Sequence, residues 1–388
     1  MTNTPMTARR ILGLIMILVG LFALAVQPRR AAAQDAPQNS VRSADLPSVE
    51  NAKVQTQALS TNLEGAVSEI AGRSVKPLWI AYTVDTLPGD HSACCGTYSD
   101  GDHRCGRCRL EKQSDGSITR DFSGPENAHL TVHLERPRQL AVLLRVENYE
   151  VMKVRLASED CVLDAGGLPF IWLTGVRAAD SVAFLTRYVS KGDLSEHRHD
   201  RIGDGALTAI ALHGDPAADR AMESFVAPNQ NEHLRKQATF WLGAARGKPG
   251  LALLERMAKN DPSPEIRSQV AFAFEVSKEP GAVEDMIRMA HDDESAHVRG
   301  QALFWLAQKA GQKAVGAIQG AIENDPDTEV KKRAVFALSQ LPKDEGVPKL
   351  IELAQNNRNP EVRKQAMFWL GQSQDPRALD FFEKILSR

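Results

Sequence analysis

The stretches EHLRKQATFWLG (232–243), PEIRSQVAFAFE (264–275), AHVRGQALFWLA (296–307), TEVKKRAVFALS (328–339) and PEVRKQAMFWLG (360–371) begin 32 residues apart and align without a gap. Leu234, Ile266, Val298, Val330 and Val362 form one column; Ala238, Val270, Ala302, Ala334 and Ala366 follow four residues on, and Leu242, Phe274, Leu306, Leu338 and Leu370 eight residues on. Ile202, Ala206 and Ile210 keep the same phase one unit earlier. Offsets of four and eight share one helical face, so each unit carries a helix with an apolar stripe. Met222, Leu254, Met286, Ile318, Leu350 and Phe382 repeat at the same interval and mark a second helix per unit. Such helix pairs cannot bury a core alone and must stack. The expected class is α+β: a C-terminal α-helical solenoid of about six 32-residue repeats, preceded by a small, mostly antiparallel β domain.

These segments resemble HEAT repeats of the short, phycobilisome-lyase-like bacterial kind, over residues 177–388. The basic column Arg235, Arg267, Arg299, Lys331 and Arg363 and the turn column Asp261, Asp293, Asp325 and Asn357 match the family's Asp/Arg signature. The resemblance implies that they form a hydrogen-bonded structural ladder along the stack. Gly203 replaces the basic residue in the first unit, which suits an atypical capping repeat.

Upstream, the chain changes character. Residues 1–10 carry Arg9 and Arg10 and no acid, residues 11–26 are an apolar run, and Ala31-Ala32-Ala33 precede Gln34. That layout fits a secretory signal over residues 1–33, with an uncleaved inner-membrane anchor as the alternative because Arg29 and Arg30 flank the far side of the run. The membrane would otherwise not be a partner. Removing residues 1–33 leaves 43 basic against 49 acidic residues, a net charge that argues against a nucleic-acid partner. Residues 34–52 are polar, hold Pro37 and Pro47, and read as a disordered tether. Within residues 53–176, a helix is expected over Leu63–Ala71, strands over Trp79–Val84 and His129–Leu134, and a hairpin over Leu140–Ala157 turning at Glu147-Asn148-Tyr149-Glu150. A loop over Asp164–Pro169 then leads to a first cap helix, Ala178–Val189.

All five cysteines, Cys94, Cys95, Cys105, Cys108 and Cys161, lie in this middle region. In an exported chain the leading reading is disulfides that staple the Gly/Asp-rich loop, with one thiol left over. Vicinal Cys94 and Cys95 bond to each other only with strain, which leaves 12 arrangements of two bonds open. A structural zinc site using Cys105 and Cys108 with His91 and His103, or thiol redox chemistry at Cys105-x-x-Cys108, are the alternatives.

Enzyme signatures are missing. None of the ten histidines precedes Glu, so the His-Glu pairs that hold iron in deoxyhypusine hydroxylase, a HEAT-repeat enzyme, have no counterpart. Bilin lyases resemble the chain in scaffold alone. There is no G-x-S-x-G, H-E-x-x-H or phosphate-binding Gly-rich loop, and His197-Arg198-His199 reads as solvated loop. Neither a metal nor a cofactor is expected.

The repeats offer one site-like column. Phe240, Phe272, Phe304, Phe336 and Phe368 sit about 140° around the helix from the buried stripe, in register. They either pack between repeats or form an apolar spine, rimmed by Lys236, Lys332 and Lys364, for a partner protein or peptide. Trp241, Trp305 and Trp369 alternate with Ala273 and Ala337, a large–small pattern expected of inter-repeat packing. Signal-bearing bacterial proteins with such repeats resemble envelope accessory proteins. The expected function is therefore a non-enzymatic interaction scaffold, periplasmic or secreted; a redox or zinc protein centred on the Cys94–Cys108 loop is the competing class.

Overall fold

The computed structural model describes residues 47–88, 91–94, 97–100, 107–111, 138–159, 161–191 and 202–387. The expected strand at 129–134, the His197–His199 loop, Cys95, Cys105 and the N-terminal segment lie outside them, as does the side chain of Cys94.

The hairpin forms as the alternation predicts. Strands β7 (Gln139–Glu147) and β8 (Glu150–Ser158) pair antiparallel around Asn148 and Tyr149, both at positive φ, the twist a two-residue hairpin turn needs. Strand β3 (Leu78–Asp85) pairs antiparallel with β7 along its length. The far side of the sheet is parallel: β10 (Pro169–Thr174) runs alongside both β3 and β2 (Lys53–Ala58). The five-stranded sheet, in the order β2-β10-β3-β7-β8, is thus mixed.

Both faces of this sheet are covered, which is why β3 and β7 read as nearly continuous apolar runs. Trp79, Ala81, Ala141, Leu143, Phe170 and Trp172 face a small parallel sheet of β1 (Ser48–Glu50), β9 (Val162–Asp164) and β6 (Arg107–Arg109). The expected tether therefore ends sooner than residue 52. Val49 packs against this second core, and β1 gains a full ladder of hydrogen-bond partners by joining β9. A two-stranded sheet pairs β4 (His91–Cys94) with β5 (Thr97–Asp100). On the opposite face, Ile80, Tyr82, Val142, Leu144 and Leu156 join the helical core together with α1 (Leu63–Ala71) and α2 (Ala178–Lys191).

From Ile202 the chain is helical pairs: α3/α4 (Ile202–Leu212, Pro216–Phe225), α5/α6 (Glu232–Ala245, Gly247–Asn260), α7/α8 (Pro264–Val276, Ala282–Asp292), α9/α10 (Ala296–Ala310, Ala314–Asn324), α11/α12 (Thr328–Ser339, Lys343–Asn356) and α13/α14 (Pro360–Gln372, Pro376–Leu386). The stripe columns are buried in every unit, apart from half-buried Ile202. One apolar core runs from Leu63 to Phe381, and residues 44–388 form one compact unit.

The basic and turn columns tie repeat to repeat. Arg267 makes two bonds to Asp293, Nε at 2.8 Å and Nη2 at 3.0 Å, while its Nη1 donates to the carbonyl of Asp261 in its own turn at 2.7 Å. Arg299 repeats this with Asp325 at 2.7 and 3.0 Å and with the Asp293 carbonyl at 2.9 Å. Arg235 is paired with Asp261. Each aspartate also accepts from the backbone N–H two residues on, closing the turn before the next helix. Burial opposes ionisation of Asp325, but bonds from Arg299 and the Asp327 N–H prevail and hold its carboxyl below the ordinary value. The ladder changes chemistry at the next rung. Lys331 reaches only the carbonyls of Ile322 (3.2 Å) and Glu323 (2.8 Å), and the turn residue beyond it is the neutral Asn357. A compact ammonium has no fork with which to hold a carboxylate bidentately.

The sheet closes the N-terminal end of the stack. The Leu87 N–H donates to the Leu212 carbonyl at 3.1 Å, and the Gly214 N–H to the Asp85 carbonyl at 2.9 Å. Beneath them the Ser181 hydroxyl lies 2.8 Å from both the Tyr82 hydroxyl and His213 Nε2, all three side chains buried. His213 Nδ1 sits 2.6 Å from the Ala209 carbonyl, and Arg246 Nη1 donates to the His213 carbonyl at 2.6 Å. Burial pushes the His213 imidazole down to about 4, despite its bond to Ala209.

Candidate functional site

The first helices of the pairs, α5, α7, α9, α11 and α13, lie side by side in one layer and approach each other more closely than α4, α6, α8, α10, α12 and α14 do in the other. The approach is close enough that a Cβ at Gly243 would sit 2.1 Å from the Ala273 carbonyl oxygen. This is the short-spaced, inner side of the stack.

The phenylalanine column lies along this layer, and the tryptophans join it. Trp241 meets Phe240 edge-on at 5.2 Å; Phe240 stacks on Phe272 at 5.9 Å; Phe272 meets Trp305 at 4.7 Å. The run continues through Phe304 (4.8 Å), Phe336 (5.7 Å, stacked), Trp369 (4.7 Å) and Phe368 (5.0 Å). Eight rings follow one another without a break across five repeats. Seven are half-buried and Phe368 is exposed. The two readings of the column are therefore not exclusive: every ring packs on a neighbour, and each keeps an accessible part. The tryptophans carry the run from Phe272 to Trp305 and from Phe336 to Trp369, which gives the large–small alternation its geometric sense.

Two of the three lysines hold an acidic partner on their own helix. Lys236 is paired with Glu232 at 2.5 Å and Lys332 with Glu329 at 3.0 Å, each one turn back on its own helix, while Lys364 is exposed. Sequence reasoning overlooked the amides beside the rings. Gln237, Gln269, Gln301 and Gln365 stand three residues before four of the five phenylalanines, Arg333 taking the place before Phe336, and all four glutamines are half-buried. Asp204, on α3, accepts from Gln237 Nε2 at 3.2 Å. A groove of about 370 Å³ opens where α3, α5 and α7 meet, lined by Asp204, Gln237, Phe240, Trp241, Gln269 and Phe272 among others.

Of the cysteines, Cys108 and Cys161 lie apart from this surface. Both are buried in the second core, and neither is a free thiol. Among the described residues, no group of three or more His, Cys, Asp or Glu side chains is placed to hold a metal ion, and no helix is long and apolar enough to cross a membrane.

A family model described as HEAT repeats matches residues 283–356 and 316–388. No curated protein sequence matches the chain significantly. Among solved structures, YibA of E. coli is 23% identical over 53% of this chain and 76% of its own, with a TM-score of 0.35. Human deoxyhypusine hydroxylase in complex with glycerol is 16% identical over 54% and 80%, at 0.28. The CpcE–CpcF complex of phycocyanin lyase from a Nostoc species is 18% identical over 52% and 79%, also at 0.28. At these scores the likenesses bear on neither activity nor partner. The family match makes residues 283–388 HEAT repeats, and columns of the same period run back to Ile202.

Proposed function

We propose that the protein is a non-enzymatic interaction scaffold of the bacterial cell envelope, which holds an extended segment of a partner protein along the inner helical layer. The observation that carries this reading is the unbroken run of eight partly exposed rings from Trp241 to Phe368. A monomeric protein gains nothing by keeping so regular an apolar strip accessible, whereas aromatic anchors in register are what a binding surface uses. Rings already packed on one another lose little side-chain freedom when a partner docks, which favours binding. The N-terminal layout of residues 1–33 supports export to the periplasm, with residual membrane anchoring as the other outcome. In that compartment the cysteine loop is stapled by disulfides, consistent with buried Cys108 and Cys161 not being free thiols. Alkylation of the unreduced protein should then label one of the five cysteines.

The central test replaces Phe304 and Phe336 by Ser in the full exported chain and reads photo-crosslinking from Phe272 in envelope extracts. A discrete crosslinked partner is expected for the parent chain and not for the double variant, which should still melt cooperatively. A double variant that crosslinks unchanged, or that loses cooperative melting, would show the rings to be packing residues only.

A further inference from the structure

The groove at the N-terminal end of the aromatic strip has a chemistry that the rest of the strip lacks. Its volume, about 370 Å³, falls in the range of side-chain and small-ligand sites, roughly 300–1,000 Å³. Three rings wall it: Phe240, Trp241 and Phe272. Two charged side chains line it, and they are not equivalent. Lys236 is already neutralised by Glu232 at 2.5 Å. Among the described residues, Asp204 accepts from a neutral amide, Gln237 Nε2 at 3.2 Å, and from no cation. Thr208, Gln237 and Gln269, which also line the groove, are uncharged. A carboxylate with no cationic partner among the described residues, beside three aromatic rings and two amide oxygens, is complementary to a cation, since ring faces and carboxylate attract positive charge together. A planar guanidinium suits it better than an ammonium, because it stacks on rings while its fork donates to carboxylate and amide oxygens at once.

We propose that this groove takes the arginine side chain of a partner polypeptide, as the anchor that fixes where the partner begins on the strip. The inference rests on the scaffold reading and gives it a chemical specificity: a basic anchor at the Asp204 end, not an acidic segment held by the lysines.

N-acetyl-arginine N-methylamide and its neutral isostere, the citrulline derivative, are titrated against the full exported chain, reading the indole N–H signals of its five tryptophans by NMR. The arginine probe should move the Trp241 signal saturably and leave Trp305 and Trp369 in place. The citrulline probe should bind at least ~10-fold more weakly, and Asp204→Asn should weaken arginine binding by a similar factor. Should Asp204→Asn perturb folding, Gln269→Glu supplies the converse reading, a second carboxylate that tightens arginine binding. Equal affinity for the two probes, or equal shifts at Trp241, Trp305 and Trp369, overturns the pocket. Failure here with capture still lost in the Phe304/Phe336 variant sinks the anchor alone; capture that survives that variant sinks the scaffold reading, whatever the probe does.

Discussion

The two ends of the helical stack carry the same columns and meet different surroundings. At the N-terminal end, strand β8 lies against α3 so closely that a Cβ at Gly205 would stand 2.2 Å from the Val154 carbonyl oxygen. At the C-terminal end, columns that are buried or half-buried in the other repeats come to the surface. Met367 is 37% exposed, whereas Ala271, Leu303 and Val335 in its column are at 0%; Leu386 is 85% exposed, whereas Ile322 and Ala354 are at 1% and 3%. Burial in a repeat protein is thus a property of the neighbour, not of the residue. The first unit is adapted to a different neighbour: Gly205 stands where later units carry Gln or Arg, and the missing side chain makes room for a strand in place of a helix pair.

The largest effect expected from breaking this comparison lies in the ladder. Arg267→Ala leaves the Asp293 carboxylate, 4% exposed, without its bidentate partner and should cost about 3–5 kcal/mol. In the last repeat, Arg363 bonds only to the carbonyls of Asn357 (2.7 Å) and Arg358 (3.2 Å), so Arg363→Ala should cost about 1 kcal/mol. Denaturant titration of both variants measures the gap; equal losses would mean that the carboxylates, and hence interior position, do not set the energetics.

The sealed end should betray itself in acid. His213 is fully buried at the junction with the sheet, and its imidazole lies at about 4 against an ordinary 6.5. The unfolded chain therefore binds a proton that the folded chain refuses. This contribution to stability is whole above pH ~6.5 and is lost as pH falls towards 4, about 3 kcal/mol across the window. His213→Gln, which retains an amide to face Ser181, should flatten the stability curve between pH 6.5 and 4 relative to the parent. Parallel curves would mean that the junction opens before His213 is protonated.

How much of this was legible differs between the regions. The stack was, because each residue of a column faces the same environment and the 3.6-residue period writes that environment into the chain. The hairpin and α1 were, because their signals are local. Strand β10 was not: Gly166, Gly167 and Pro169 punctuate its approach as a loop would, and its partners, β2 and β3, are some 90–115 residues away in the chain. Parallel pairing across such distances has no local period. In the site, the phenylalanines were visible as a column, and the spacings Glu232–Lys236 and Glu329–Lys332 already carried the helical ion pairs that hold two of the three lysines. Asp204 escaped notice because it stands in the one unit whose neighbours differ; its place in the groove emerges only when α3 is set beside Gln237 and Trp241.

The smallest effect is expected at the open end, and it is the most discriminating. Leu386 and Ile322 occupy one column, and truncating either to Ala removes apolar carbons. Ile322→Ala empties space between repeats and should cost about 2–5 kcal/mol. Leu386→Ala takes carbons already in water and should fall within about 0.5 kcal/mol of zero. A loss at Leu386 approaching that at Ile322, particularly one that fades as the protein is diluted, would mean that the end face is covered in solution. The two ends would then differ only in what covers them: the chain's own sheet at one, and a second molecule at the other.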